Sequence, residues 1–228
     1  MPMPAEMDDL IDVSSYDSRD DVRVIVNLPG RYMLASKRNL KGERCEFACR
    51  IVNVSLEAMA LAAPVPGPIG ERVLLYSEQL GRLHGPITRL MANGFVISVA
   101  ASPQNREKLA AKLDWIAKQK DAPDLPDSRR HKRVIPKNPM ATILTADGSL
   151  TSCLVIDFSD SGVAVSADLY PEIGTPLAVG KMVGRVVRRF AEGFAIEFAD
   201  KPNLGDIERR LASTEPRSFV SPRVLARL

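Results

Sequence analysis

Short apolar runs rich in Val, Ile and Phe, separated by turn residues, recur along the chain. Residues 151–156, 162–166, 182–189 and 194–198 are four of them. Each has the length and the β-branched and aromatic content of a strand in a pleated sheet. Turn dipeptides punctuate the pattern at Asp147-Gly148, Asn93-Gly94 and Glu192-Gly193. Many short strands with no helix between them predict an antiparallel sandwich or small barrel, a mainly β fold. The period becomes helical in two places. Ser102 can cap and Pro103 suits a first helical position. Leu109, Leu113, Ile116 and Ala117 then fall at i, i+4, i+7 and i+8, so a helix is expected over about 103–120. Trp115 lies off that stripe, at the surface or against a neighbouring domain. After Asn203, the positions of Leu204, Ile207 and Leu211 predict a shorter helix over about 203–212.

The same order of elements occurs twice. Residues 19–34 (RDDVRVIVNLPGRYML) and 129–144 (RRHKRVIPKNPMATIL) share Arg, Arg, Val, Ile, Pro and Leu in one ungapped register. Residues 51–64 correspond to 155–168. Residues 85–100 and 184–199 agree at seven of sixteen positions without a gap. Three collinear blocks identify two copies of one small domain, at 19–120 and 129–213. Residues 121–128, polar with two prolines, read as the linker. The acidic residues 1–18 and the tail 214–228 are expected to lack fixed structure.

Composition narrows the classes. Of 228 residues, 45% are hydrophobic and 26% charged, which suits a globular chain, and aromatics at 5% leave the core to aliphatic side chains. The longest weakly charged stretch, residues 51–70, contains Glu57, Pro64, Pro66 and Pro68 and cannot be a membrane helix. The first 21 residues hold seven acids and one base, unlike a secretion signal. Cys45, Cys49 and Cys153 are too few for a disulfide framework; Cys45 and Cys49, four apart in an expected strand and so on one face, read as a pair of buried thiols. A reducing, cytoplasmic compartment is therefore expected. A net charge of +3 gives little electrostatic case for nucleic acid. No Cys/His/Asp set has zinc spacing, and no nucleophile, Walker or dinucleotide motif occurs. No metal, no cofactor and no catalysis are expected.

Two features carry candidate chemistry. Residues 128–133 (SRRHKR) place Arg129, Arg130 and Arg133 directly before a strand. The first copy keeps the spacing as Arg19 and Arg23 while losing the basic residues between them. The second feature is D-x-S-x-x-G, formed by Asp157, Ser159 and Gly162, which becomes Asn53, Ser55 and Ala58 in the first copy. Alone, such a hexapeptide is an ordinary turn in which Gly supplies a positive φ, so Ala58 is expected to disfavour a left-handed turn in the first copy.

Together, an R-x-x-x-R arm, a strand pair, [DN]-x-S-x-x-G, a glycine-centred hairpin and a helix resemble the PilZ domain, here in tandem. The resemblance implies two six-stranded antiparallel barrels, each followed by a C-terminal helix. It implies cyclic di-GMP as ligand, with Arg129, Arg130, Arg133, Asp157, Ser159 and Gly162 at the site of the second copy. Arg19, Arg23, Asn53 and Ser55 would form a weaker site in the first. It implies a non-catalytic bacterial signalling role in motility, exopolysaccharide or biofilm control, exerted through a downstream protein partner. Arginine suits such a ligand because its planar donor fork matches phosphate and the O6/N7 edge of guanine. A carboxylate accepts from guanine N–H groups.

Two other readings remain open. One is an adaptor that binds protein and no nucleotide. The other is nucleic-acid binding through residues 129–137 with Arg185, Arg188 and Arg189. The first copy is also six residues longer between Arg23 and Asn53 than the second between Arg133 and Asp157. The extra residues fall in a hairpin at 37–43 that is available to a partner.

Overall fold

The computed structural model describes residues 24–39, 41–118, 133–200 and 202–212. The expected arm residues Arg19, Arg23, Arg129 and Arg130, the linker and both chain ends lie outside that set. The first unit contains β1 (Val24–Leu34), β2 (Phe47–Val54), β3 (Ala58–Ala62), β4 (Arg72–Ser77), β5 (Gly81–Met91), β6 (Gly94–Ser98) and α1 (Pro103–Lys118). The second contains β7 (Met140–Thr145), β8 (Leu150–Phe158), β9 (Gly162–Ala167), β10 (Pro176–Val179), β11 (Met182–Phe190), β12 (Gly193–Phe198) and α2 (Leu204–Leu211).

Each set of six strands closes into an antiparallel barrel. The orders are β1-β2-β3-β6-β5-β4 and, read from its first strand, β7-β8-β9-β12-β11-β10. Strand for strand they are the same topology, so the sequence repeat is a repeat of fold. Closure also removes the exposed edges that would invite pairing with other chains.

Alternating side chains fill each barrel. In the first, Tyr32, Phe47 and Phe95 form its centre, with ring centroids 5.6 Å and 5.4 Å from that of Tyr32. The Tyr32 hydroxyl donates to the Val65 carbonyl at 2.7 Å and accepts from the Val65 amide at 3.1 Å, which makes its burial affordable. Leu109, Leu113 and Ile116 of α1 join that core, while Trp115 stands 55% exposed on the other face. In the second, Ile207 and Leu211 of α2 join Ile143, Val155, Val165, Phe194 and Ile196. Asn203 caps α2 by accepting from the Gly205 amide at 3.2 Å. All three cysteines are buried and unbonded. Cys45 lies in the loop before β2 and not in a strand, so the face it shares with Cys49 comes from a loop turning inward.

Period-two alternation breaks at matching places. The register of β2 against β3 shifts between Ile51 and Asn53, and that of β8 against β9 shifts between Val155 and Asp157. One extra residue, Val52 or Ile156, bulges at each. The bulge turns the next side chain, Asn53 or Asp157, away from the position strict alternation would give it.

The barrels meet along the outer surfaces of β2, β8 and β9. Ala48, Met140 and Leu154 form a small buried apolar cluster there, with Ile156 against it. The Ala48 amide donates to Ser166 Oγ at 3.0 Å. The longer first copy does form a hairpin, closed by the Asn39 amide on the Glu43 carbonyl at 2.9 Å. At its base Lys37 pairs with Asp168 of the second barrel, so the insertion reaches the neighbouring domain. Among the described residues, no helix is long and apolar enough to cross a membrane.

Candidate ligand site

The segment before β7 returns along the end of β8. Val134 and Phe158 exchange both backbone hydrogen bonds, at 2.8 Å and 2.9 Å. This rung brings Arg133, the last residue of the arm motif, beside the D-x-S-x-x-G motif. Arg133, just before it, directs Nη1 at both oxygens of Asp157, at 3.0 Å and 3.3 Å. The first copy has the corresponding rung, Val24 opposite Val54. There, too, the chain brings the residue after the arm beside the residue after the motif position Asn53.

The Ser159 amide donates to the Gly162 carbonyl at 2.8 Å, closing the loop between β8 and β9. The Ser159 and Ser161 hydroxyls lie 3.1 Å apart. A cleft of about 310 Å³ opens over this loop, lined by Arg133, Asp157, Ser159, Gly162, Val187 and Glu197 among others. Arg133 and Asp157 keep 40% and 23% of their side chains exposed, so both are available to a molecule entering the cleft.

The structure corrects the reason for a glycine at 162. Its φ is not positive: Gly162 is the first residue of β9, paired with Glu197. What demands glycine is proximity, because a Cβ at this position would stand 2.3 Å from the Ile196 carbonyl oxygen. The expectation that Ala58 disfavours a left-handed turn in the first copy falls for the same reason. Ala58 is the first residue of β3, paired with Ser98, and its Cβ is accommodated.

The first copy's motif residues are arranged differently. Ser55 is 2% exposed, and its Oγ accepts from the amides of Glu57 at 3.3 Å and Ala58 at 3.1 Å. The same hydroxyl donates to the Ala58 carbonyl at 3.2 Å. It is spent on its own turn. Asn53 Oδ1 is buried without a hydrogen-bond partner among the described residues.

Two residues that the sequence did not single out belong to this region. Val187, the bulged residue of β11, lines the cleft and is 45% exposed. Arg50 of β2 is 3% exposed and donates through Nη2 to the Ile156 carbonyl at 2.7 Å. Burial lowers the pKa of Arg50, and the charges of Cys49 and Asp157 oppose that. Burial also pushes the Cys49 thiol up, so at neutral pH the opposing charge is that of Asp157. Arg50 was readable only as a charge in an apolar strand, which suggests exposure; the covering surface comes from the other barrel. The arginines of the nucleic-acid reading are engaged within their own barrel. Arg185 donates to the Gly174 carbonyl at 2.8 Å, Arg189 pairs with Glu172 at 3.2 Å, and Arg188 stacks on Phe190.

No family model matches the sequence, and no curated protein matches it. Solved structures are similar to it at low identity. The PlzA protein of Borreliella burgdorferi in complex with c-di-GMP is 13% identical over 83% of this chain and 91% of that chain, with a TM-score of 0.29. The inhibitor of motility MotI of Bacillus subtilis is 12% identical over 83% and 94%, with a TM-score of 0.27. YcgR of Escherichia coli in complex with c-di-GMP is 11% identical over 81% and 80%, with a TM-score of 0.25.

Proposed function

We propose that the protein is a tandem PilZ-type receptor that binds cyclic di-GMP in the cleft of its second barrel and has no catalytic role. One observation carries the reading: the Val134–Phe158 rung sets Arg133 against Asp157 at the rim of an open cleft floored by Ser159 and Gly162. That rim pairs a planar donor for phosphate or a guanine edge with a carboxylate acceptor for guanine N–H groups. Arg129 and Arg130, four and three residues before Arg133, complete the arm in this reading. Engagement of such an arm by the ligand is the switching step, read by a downstream protein that acts on motility, exopolysaccharide or surface attachment. The contacts of Arg185, Arg188 and Arg189 with groups of their own barrel favour a small ligand over a nucleic-acid backbone. The first barrel, with Ser55 closed into its turn, serves mainly as a support. Calorimetric titration of the full chain with cyclic di-GMP, with GTP as control, tests the proposal. Saturable binding of the dinucleotide alone is expected; no heat of binding, or equal binding of GTP, overturns it.

A further inference from the structure

We propose that Arg50, contributed by the first barrel, is a positioning residue for the ligand site of the second, holding Asp157 in place when Arg133 turns to the ligand. The inference rests on the reading of that cleft as a cyclic di-GMP site. Arg50 points outward from β2 into the seam between the barrels. Only one of its three guanidinium nitrogens has a partner there, Nη2 on the Ile156 carbonyl at 2.7 Å. Nε and Nη1 are buried with no partner among the described residues. A buried cation with unmade hydrogen bonds is costly, and an apolar side chain of similar length would join the surrounding cluster at less expense. An arginine at this position therefore calls for a further use.

Its location supplies one. Ile156 is the bulged residue immediately before Asp157, so Arg50 grips the peptide whose conformation decides where Asp157 points. Both Asp157 oxygens accept from Arg133 Nη1. A phosphodiester that draws Arg133 away leaves Asp157 short of its counter-charge. Arg50 is then the neighbouring guanidinium, and it still has unpartnered N–H groups. The first barrel thus completes the second barrel's site without touching the ligand.

Full-length protein is titrated with cyclic di-GMP by calorimetry as the parent, Arg50→Gln, Arg50→Lys, Asp157→Asn, and the double variant Arg50→Gln with Asp157→Asn. Glutamine keeps a neutral N–H donor on a shorter side chain and removes the charge; lysine keeps the charge at nearly full length. The expected result is about tenfold weaker binding in Arg50→Gln, partial recovery in Arg50→Lys, and a double variant no weaker than Asp157→Asn alone. A structural role alone would give losses that multiply. Parental affinity in Arg50→Gln, or fully multiplying losses in the double variant, overturns the inference while leaving the site intact. Absence of binding by the parent overturns the reading of the cleft and this inference with it.

Discussion

Arg133 directs a single guanidinium nitrogen at both carboxylate oxygens of Asp157, 3.0 Å and 3.3 Å away, and so holds the acid without using its whole donor fork. The pair is partly exposed, so its contribution to stability is small, about 0–1 kcal/mol. Its importance lies in geometry, since a backbone rung fixes both residues at the rim of one cleft. Arg133→Ala is therefore expected to melt close to the parent and to lose affinity. Loss of a charged hydrogen bond to ligand costs about 1.5–3 kcal/mol, or ~10–150-fold in Kd. Unchanged affinity by calorimetry would remove Arg133 from the site.

Gly162 tests how the two strands pack. Its Cβ would meet the Ile196 carbonyl oxygen at 2.3 Å, and that oxygen belongs to backbone that cannot swing aside. Gly162→Ala should already force β9 away from β12, at about 1–3 kcal/mol. Gly162→Val should cost at least as much, since its branch adds to the same clash. Urea denaturation measures both. A Gly162→Ala protein as stable as the parent would mean that the pair opens freely.

The contrast shows what the sequence could carry. Strand positions were legible because Val, Ile and Phe alternate between turn dipeptides, and the duplication was legible from residues that recur in register. The juxtaposition of Arg133 with Asp157 was implied by resemblance and not by spacing, since 24 residues separate them and only the Val134–Phe158 rung brings them together. The physical role of Gly162 was misread because a glycine in a turn-like hexapeptide suggests positive φ, while a clash with a strand over thirty residues away leaves no local trace. Arg50 was missed for a similar reason. Its partner is the Ile156 carbonyl, 106 residues distant and on another barrel.

Asp147 gives a prediction about acid. It accepts from Thr145 Oγ1 at 2.5 Å and from the Ser149 amide and hydroxyl, each at 3.0 Å, tying the β7–β8 turn. These bonds, the Thr145 one foremost, hold its carboxyl below the ordinary carboxylate value. A group whose folded pKa is depressed stabilises above its unfolded pKa and loses that effect as pH falls through the folded value. Asp147→Asn should therefore lower Tm slightly at neutral pH. The gap from the parent should close as pH drops below ~4, near the unfolded value for aspartate. A gap that widens on acidification would contradict the sign.

Buried sulfur gives another. Cys45, Cys49 and Cys153 are all enclosed, and burial pushes the thiols of Cys49 and Cys153 up. Since the thiolate is the reactive form, an aromatic disulfide reagent should label none of them rapidly in the native protein and all three after denaturation. Fast labelling of one native thiol would show that a barrel opens locally.

The two serines of the repeated motif should behave as opposites. Ser55 Oγ, 2% exposed, accepts from two backbone amides and donates to a carbonyl, all within its own turn. Its removal takes the acceptor from two amides of a part-buried turn, at about 0.5–1.5 kcal/mol of stability. The hydroxyl has nothing left for a ligand, so Ser55→Ala should bind cyclic di-GMP as the parent does. Among the described residues, Ser159 Oγ meets only the Ser161 hydroxyl and, at 3.4 Å, its amide, and it lines the cleft. Ser159→Ala should change stability little and weaken binding by about 0.5–1.5 kcal/mol, roughly 2–13-fold. Denaturation and calorimetry on both variants of the full chain decide the matter, with one ligand site per chain expected. Equal losses of affinity in the two would mean that the first barrel binds as the second does, and that its closed turn opens to the ligand.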